Sequence, residues 1–187
     1  GDFSTAIGHS ALYSNTTASN NTAVGYQAIY TNTTGTGITG IGSKALFSNT
    51  TGSGNTALGS FWSGFYGAPL QLNTTGAYNV AIAPGALYAN TTGVSNIGIG
   101  IGALYSNTTA SNNTAVGYQA GYTNVTGTEN AFFGAEAGRV VTSSYNTAIG
   151  SNAQTLHLTI TRQLVIRRFT HKQRQHTQTW LLVIRLD

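Results

Sequence analysis

Few side chains in this sequence could do chemistry, and each has a plainer role to set against it. His9 is the one histidine ahead of residue 154. A nucleophilic triad needs a serine and an orienting acid beside it, and no repeat position supplies both, so a surface substitution is the plainer reading. Glu129 and Glu136 sit on different parts of one repeat unit; a carboxylate pair is the apparatus of glycoside hydrolysis, yet nothing in their spacing fixes such a pair. Gly98-Ile99-Gly100-Ile101-Gly102 has a superficial likeness to a dinucleotide-binding loop, but it falls in the repeat register with no helical pattern after it. Turns poor in acids lack the Asp ladders that hold calcium in β-rolls. With no Cys there is neither a disulfide nor a zinc-thiolate site. The sequence therefore predicts no enzyme: no catalytic residue, cofactor or metal is expected.

Binding chemistry has better material. Ser60 to Ala68 interrupts the repeats with Phe61, Trp62, Phe65 and Tyr66 among glycines. Exposed aromatic faces stack on sugar rings, and loops on rigid scaffolds collect binding groups. The alternative is that Phe61, Trp62 and Phe65 fold back as a plug over the repeats or enter a subunit interface. Asn15, Asn20, Asn32, Asn49, Asn73, Asn90, Asn107, Asn112 and Asn124 satisfy the N-glycosylation pattern; where the turn is Asn-Thr-Thr, the pattern also follows from turn chemistry alone. Thr16, Thr33, Thr50, Thr74, Thr91 and Thr108 recur once per unit and would form a hydroxyl ladder of the kind an ice-binding face requires.

All of these residues hang on a tandem repeat, and the period decides the fold. Units begin at Ser4, Asn21, Ile38, Asn55, Asn79, Asn96, Asn113, Asn130 and Asn146, spaced by 17 residues except for 24 after Asn55 and 16 after Asn130. Position four is always apolar: Ile7, Val24, Ile41, Leu58, Ile82, Ile99, Val116, Phe133, Ile149. Position nine is mostly so: Leu12, Ile29, Leu46, Leu70, Leu87 and Leu104, then Gly121 and Gly138. Each unit thus has two apolar anchors closed by Asn-Thr-Thr-Gly, whose Asn and Gly favour turns and positive φ. The expected order is turn, strand, turn, strand, with position four pointing inward.

One unit cannot fold alone. Two aliphatic side chains at ~1.5–3 kcal/mol each do not offset ordering 17 residues at ~1 kcal/mol or more apiece. Coils stacked at the ~4.8 Å strand spacing solve this, nine of them making a rod of about 43 Å. Low helix propensity and the lack of a 3.6-residue period exclude helical repeats. The expectation for residues 1–153 is an all-β fold, a parallel β-solenoid or β-roll of about nine 17-residue coils. Its core is thin, and Tyr13, Tyr30, Phe47, Tyr88, Tyr105 and Tyr122 fall in one column. Exposed apolar stripes of this kind mark subunit interfaces, and three rods side by side would cover it.

Asn-Thr-Ala-Ile/Val-Gly followed by small residues resembles the head repeats of trimeric autotransporter adhesins. The longer form with Ala-Leu-Tyr-Ser-Asn-Thr-Thr is similar to repeats of phage tail-fibre-like and bacterial surface-fibre proteins. The resemblance covers residues 4–153 and implies a parallel β-roll, a homotrimer, an extracellular, cell-surface or virion tail-fibre location, and attachment to a cell-surface glycan or protein. The period departs from it, because the adhesin head repeats are shorter. Two functions of different kind follow: a structural and adhesive fibre segment, and an ice-binding solenoid using the Thr ladder.

The 187 residues carry a formal charge of +4 with only 6% charged residues, and its location matters. Through Ala153, Lys44 and Arg139 stand against Asp2, Glu129 and Glu136, giving −1; from Gln154, Arg162, Arg167, Arg168, Lys172, Arg174 and Arg185 against Asp187 give +5. All 24 Gly precede Ala153, and residues 154–187 contain no Gly, Ala, Asn, Ser or Tyr. No apolar run approaches the roughly 20 residues that span a bilayer, and the sequence, lacking a leader pattern, reads as an internal piece with no membrane insertion. The basic tail could neutralise a polyanion, but a shifted reading frame accounts for it without any nucleic-acid partner. Thr161 to Phe169 can be encoded by codons that, read one base earlier, give Asn-Thr-Ala-Ile-Gly-Tyr-Gln-Ala-Val, and Thr179 to Leu186 can likewise be encoded to give Asn-Met-Ala-Val-Gly-Tyr-Gln-Ala. The tail is therefore expected to be an irregular, frameshifted reading of further repeats. Sequencing the coding DNA over codons 154–187 should return that repeat in an adjacent frame; its absence would make the basic tail a genuine domain.

Overall fold

One three-residue strand per coil is the regular secondary structure that the repeats form, and these strands build a single parallel sheet. The computed structural model describes residues 1–61 and 66–154. The strands are β1 (Thr5–Ile7), β2 (Thr22–Val24), β3 (Thr39–Ile41), β4 (Thr56–Leu58), β5 (Val80–Ile82), β6 (Ile97–Ile99), β7 (Thr114–Val116), β8 (Ala131–Phe133) and β9 (Thr147–Ile149). They pair in sequence order, each residue against the same repeat position of the next coil, as in Thr22↔Thr39 and Val24↔Ile41. The β-solenoid is thus present, and the unequal intervals after Asn55 and Asn130 are absorbed outside the strands. Residues 155–187, nearly all of the tail read as frameshifted, lie outside the described residues.

The structure corrects three expectations. The position-four side chains point outward: Ile41 is 40% and Phe133 42% exposed, and Ile7 and Ile149 are more so. Side chains alternate along a strand, and the inward place falls to position three, where Ala23, Ala57, Ala81 and Ala115 are fully buried. The second anchor, position nine, is buried as expected but lies in a turn rather than a strand. Ile29 and Leu87 sit there at φ of 49° and 50°. A left-handed backbone costs a non-glycine residue about 1–3 kcal/mol, offset here by full burial of the side chain and by a backbone hydrogen bond to the next coil, Ile29 N–H to Ala45 O at 2.9 Å.

The third correction concerns glycine. The glycine closing Asn-Thr-Thr-Gly is not among the positive-φ residues. It is needed for close approach, since a Cβ on Gly35 would lie 2.5 Å from the Gly52 carbonyl oxygen. Positive φ is required instead just after the strand, at Gly117 for example, where φ is 137° and a Cβ would lie 2.3 Å from Gly134 O.

Inside the coil, positions three and nine face each other and exchange volume. Gly40 leaves room for the branched Ile29, whose Cγ1 would be 2.7 Å from an added Cβ. Where position nine becomes Gly121 and Gly138, position three becomes Phe132, the largest fully buried side chain. A Cβ on Gly121 would meet the Phe132 ring at 2.7 Å and one on Gly138 at 2.3 Å. One aromatic ring replaces two leucines, and the section of the rod is conserved.

Two columns of asparagine close the opposite corner. At position twelve, each side-chain amide donates to the Asn of the preceding coil and to the carbonyl of its own turn: Asn90 Nδ2 to Asn73 Oδ1 at 2.7 Å and to Gly93 O at 3.0 Å. At position one, Asn79 Nδ2 reaches the same Gly93 carbonyl at 2.8 Å, while Asn79 Oδ1 accepts the backbone N–H of Asn96 at 2.9 Å. All four of these asparagines are fully buried. The position-twelve ladder stops where coil eight substitutes the buried Val141, leaving Asn124 Oδ1 without a partner. The shortened coil eight likewise leaves Asn130 Nδ2 unpaired.

The volume exchange makes a paired prediction. Phe132→Ala should destabilise the solenoid by about 3–5 kcal/mol. Adding Gly121→Leu, at a φ of 62° that the leucines of this column already adopt, should recover more than half of that in denaturant melts. If the second substitution deepens the loss instead, the two positions do not share one space.

Candidate functional site

The insertion leaves the coil at Phe61, whose N–H still bonds the Ser43 carbonyl, and rejoins at Gly67, whose carbonyl receives Gly85 N–H at 2.7 Å. Trp62 and Phe65, two of the four proposed ligand-binding aromatics, lie outside the described residues. Phe61 is 47% exposed. Lys44 Nζ stands 5.8 Å from its ring centroid and 5.9 Å from that of Phe47, so one ammonium bridges two aromatic faces. Such a contact is worth about 0.5–1 kcal/mol at an exposed site.

Tyr66 behaves differently, folding back along the rod across coils five to seven. Gly85 and Gly102 occupy position seven in two successive coils and leave a shallow bed: an added Cβ would be 2.8 Å and 3.0 Å from the Tyr66 ring. The ring stands edge-on to Tyr105, centroids 5.8 Å apart at 79°, and its hydroxyl accepts Gln119 Nε2–H at 2.6 Å. The sequence offers fold-back for Phe61, Trp62 and Phe65; among the described residues it is Tyr66 that folds onto the coils. Gln119, Tyr118 and Gly85 carry no functional reading in the sequence, and Gly102 carries only that of a glycine-rich loop. The signal was there, since position seven changes from Gln27 and Lys44 to glycine in the two coils that directly follow the insertion.

The aromatic column at position ten forms two stacks. Tyr13, Tyr30 and Phe47 stack at 5.0 and 5.1 Å, and Tyr88, Tyr105 and Tyr122 at 5.0 and 5.1 Å, with ring planes within 11°. Gln71 fills the place between them, where its Oε1 accepts Ala68 N–H at 2.9 Å. The inner rings, Tyr30 and Tyr105, have both faces covered by neighbours, so they offer edges and hydroxyls rather than open faces for a sugar. Burial, reinforced by the neighbouring tyrosines, raises the Tyr105 phenol above its ordinary 10.0. Tyr118 is raised as well, chiefly by the neighbouring Tyr66 hydroxyl.

The other candidates take structural places. His9 Nδ1 lies 2.9 Å from Ser10 Oγ and its ring stacks on Tyr26 at 5.7 Å; no carboxylate is among these contacts. Glu136 pairs with Arg139 at 3.7 Å across a partly exposed surface, an interaction of about 0–1 kcal/mol. Gly98 is buried in β6 and Gly102 lies under Tyr66, so the glycine-rich stretch serves the coil. Six of the glycosylation-pattern asparagines, Asn32, Asn49, Asn73, Asn90, Asn107 and Asn124, are fully buried with their amides committed to the ladder. Only Asn20 and Asn112 are exposed among the nine. In the predicted hydroxyl ladder, Thr50, Thr74 and Thr91 donate to the next coil's carbonyl at 3.0, 3.0 and 3.1 Å. Thr16 and Thr33 of that ladder are exposed, and the next column, with Thr34, Thr75 and Thr109, is exposed as well.

No family model matches this chain, and neither a curated protein nor a solved structure matches it.

Tyr66→Phe keeps the ring on its glycine bed and removes the hydroxyl. The Tyr118 phenol should then titrate closer to the ordinary tyrosine value, followed by phenolate absorbance against a Tyr118→Phe reference. A raised phenol pKa favours the folded state below pH 10.0 and loses that contribution as pH rises through the folded value. The Tyr66→Phe chain should therefore lose less of its stability across alkaline pH than the parent; an identical alkaline profile would overturn the assignment.

Proposed function

We propose that the chain is a structural and adhesive segment of a fibre, in which the solenoid sets length and stiffness and the insertion makes contact with a cell-surface glycan or protein. One observation carries this reading: each coil hands the next the same donors and acceptors that it received, from Asn79 to Asn96 to Asn113, so coils add length without changing section. The sequence resemblance to trimeric adhesin heads and tail fibres supports the same reading and suggests a homotrimer at a cell surface or on a virion. The insertion's aromatic residues Phe61, Trp62, Phe65 and Tyr66 are the proposed contact region, with Lys44 beside Phe61. Tyr66 would act mainly by fixing the insertion to the rod. Ice binding through Thr16 and its ladder mates has weaker support, because the inner hydroxyls of that column are donated to neighbouring carbonyls.

Two measurements separate these readings. Beads coated with the full chain should adhere to cells or to a glycan array, and the Phe61→Ala/Trp62→Ala pair should reduce retention at least tenfold while leaving the circular dichroism spectrum unchanged. Thermal hysteresis of the same chain should be absent. Hysteresis without adhesion would replace the fibre reading with the ice-binding one.

A further inference from the structure

The sheet has an outward face that the thin coil cannot cover. Strand positions two and four both point away from the core, so the nine strands carry two straight columns in register. The position-four column is apolar throughout, and neither column contains a charged residue. At the middle of the rod both columns turn apolar together: Val80 and Ile82 on β5 stand beside Ile97 and Ile99 on β6, none of them fully buried. Solvent-facing strands ordinarily alternate apolar-in and polar-out. Here the small residues are inside and the larger aliphatic ones outside.

We infer that this strand face, rather than the stacked tyrosines, is where copies of the chain pack side by side. This deepens the fibre reading by naming its partner and the surface between them. The area is sufficient: nine strands at ~4.8 Å make a strip about 40 Å long. Two columns about 7 Å apart with their side-chain margins give a width of about 15 Å. The product, about 600 Å² per copy, reaches the lower end of the ~600–1,000 Å² per partner of stable interfaces. Sheets packed face to face lie ~10 Å apart, within reach of interdigitating Val, Ile and Thr side chains.

The occupant follows from the period. A partner that touches every rung alike must repeat at the rung spacing, and a second copy of this chain does. The direction follows from the central quartet. An axis parallel to the rod sets β5 against β5 and β6 against β6, so all four apolar residues meet their own copies. An antiparallel arrangement that overlaps all nine strands is centred on β5 and would put Ile97 and Ile99 opposite Thr56 and Leu58, while one centred between β5 and β6 keeps the quartet together only by leaving β1 unmatched. The tyrosine stacks fit the role less well, because each inner ring already has both faces satisfied within its own chain.

Because the sequence has no Cys, single cysteines can map the contact. Ile82→Cys in the full chain should give disulfide-linked dimers within minutes of mild oxidation, while Thr34→Cys, exposed on another face, should remain at least tenfold less linked. Val116→Lys, and separately Val24→Lys, should lower the mass measured by light scattering to that of one chain without changing circular dichroism. Tyr30→Ser should leave the oligomer intact. A parent chain that is monomeric at micromolar concentration, equal linking at Thr34→Cys, or dissociation by Tyr30→Ser alone would overturn the assignment. A monomeric chain that still holds beads to cells would remove this interface and keep the fibre reading; an oligomer without adhesion would do the reverse.

Discussion

Buried asparagine amides, bonded from coil to coil, are the constraint on which the rest of this molecule depends. An amide supplies two donors and an acceptor on one planar group, and here both ends are used: Asn107 Nδ2 donates to Asn90 Oδ1 and to Ala110 O, each at 3.0 Å, and Asn107 Oδ1 accepts Asn124 Nδ2–H at 3.4 Å. Few other uncharged side chains could do both. Leaving any of these groups unpaired inside the rod would cost about 1–3 kcal/mol, so the ladder dictates that every coil return to the same height and orientation. The 17-residue period is the sequence expression of that demand.

Fixing the backbone so tightly determines where side-chain volume can go. The corner held by Asn leaves a narrow interior with room for one small residue from the strand and one larger residue from the facing turn. The turn residue accepts a left-handed backbone to reach it, as Leu46 and Leu104 do at φ of 53° and 51°. A branched Ile29 therefore requires Gly40 opposite, and a large Phe132 requires Gly121 and Gly138. The compensation is local, confined to adjacent coils, as expected of a structure stabilised by nearest-neighbour stacking. It also explains the outward aliphatic column: with the interior filled by alanine and one leucine, the larger strand residues have no inward place.

The seven-residue excursion after Ser60 is tolerated for the same reason. Residues on either side of it keep their ladder positions, Asn55 and Asn73 both bonding Gly76 O. At its described ends, two glycines at position seven bed Tyr66 and Lys44 stands beside Phe61. Aromatic residues at position ten stack at the rung spacing because the sheet sets it, and Gln71 breaks the stack at the coil the excursion disturbs.

Periodicity was fully legible in the sequence, and with it the solenoid. Seventeen residues cannot bury enough to stand alone, Thr, Asn and Gly disfavour helix, and recurring Asn-Thr-Thr-Gly marks a turn; these facts need no coordinates. The aromatic column at position ten and the insertion were also visible, because each is a regularity or a break in one. What tertiary structure alone decided was direction. A strand of three residues offers two parities, and the apolar character of Ile41 or Val116 favours the inward one. The available volume, set by the asparagine corner and by Leu at position nine, reverses that preference. The same holds for the asparagines: a turn residue and a ladder residue have the same letter and the same flanking threonines. Only stacking places Asn90 between Asn73 and Asn107 and converts a local turn preference into the hydrogen-bonded spine of the rod.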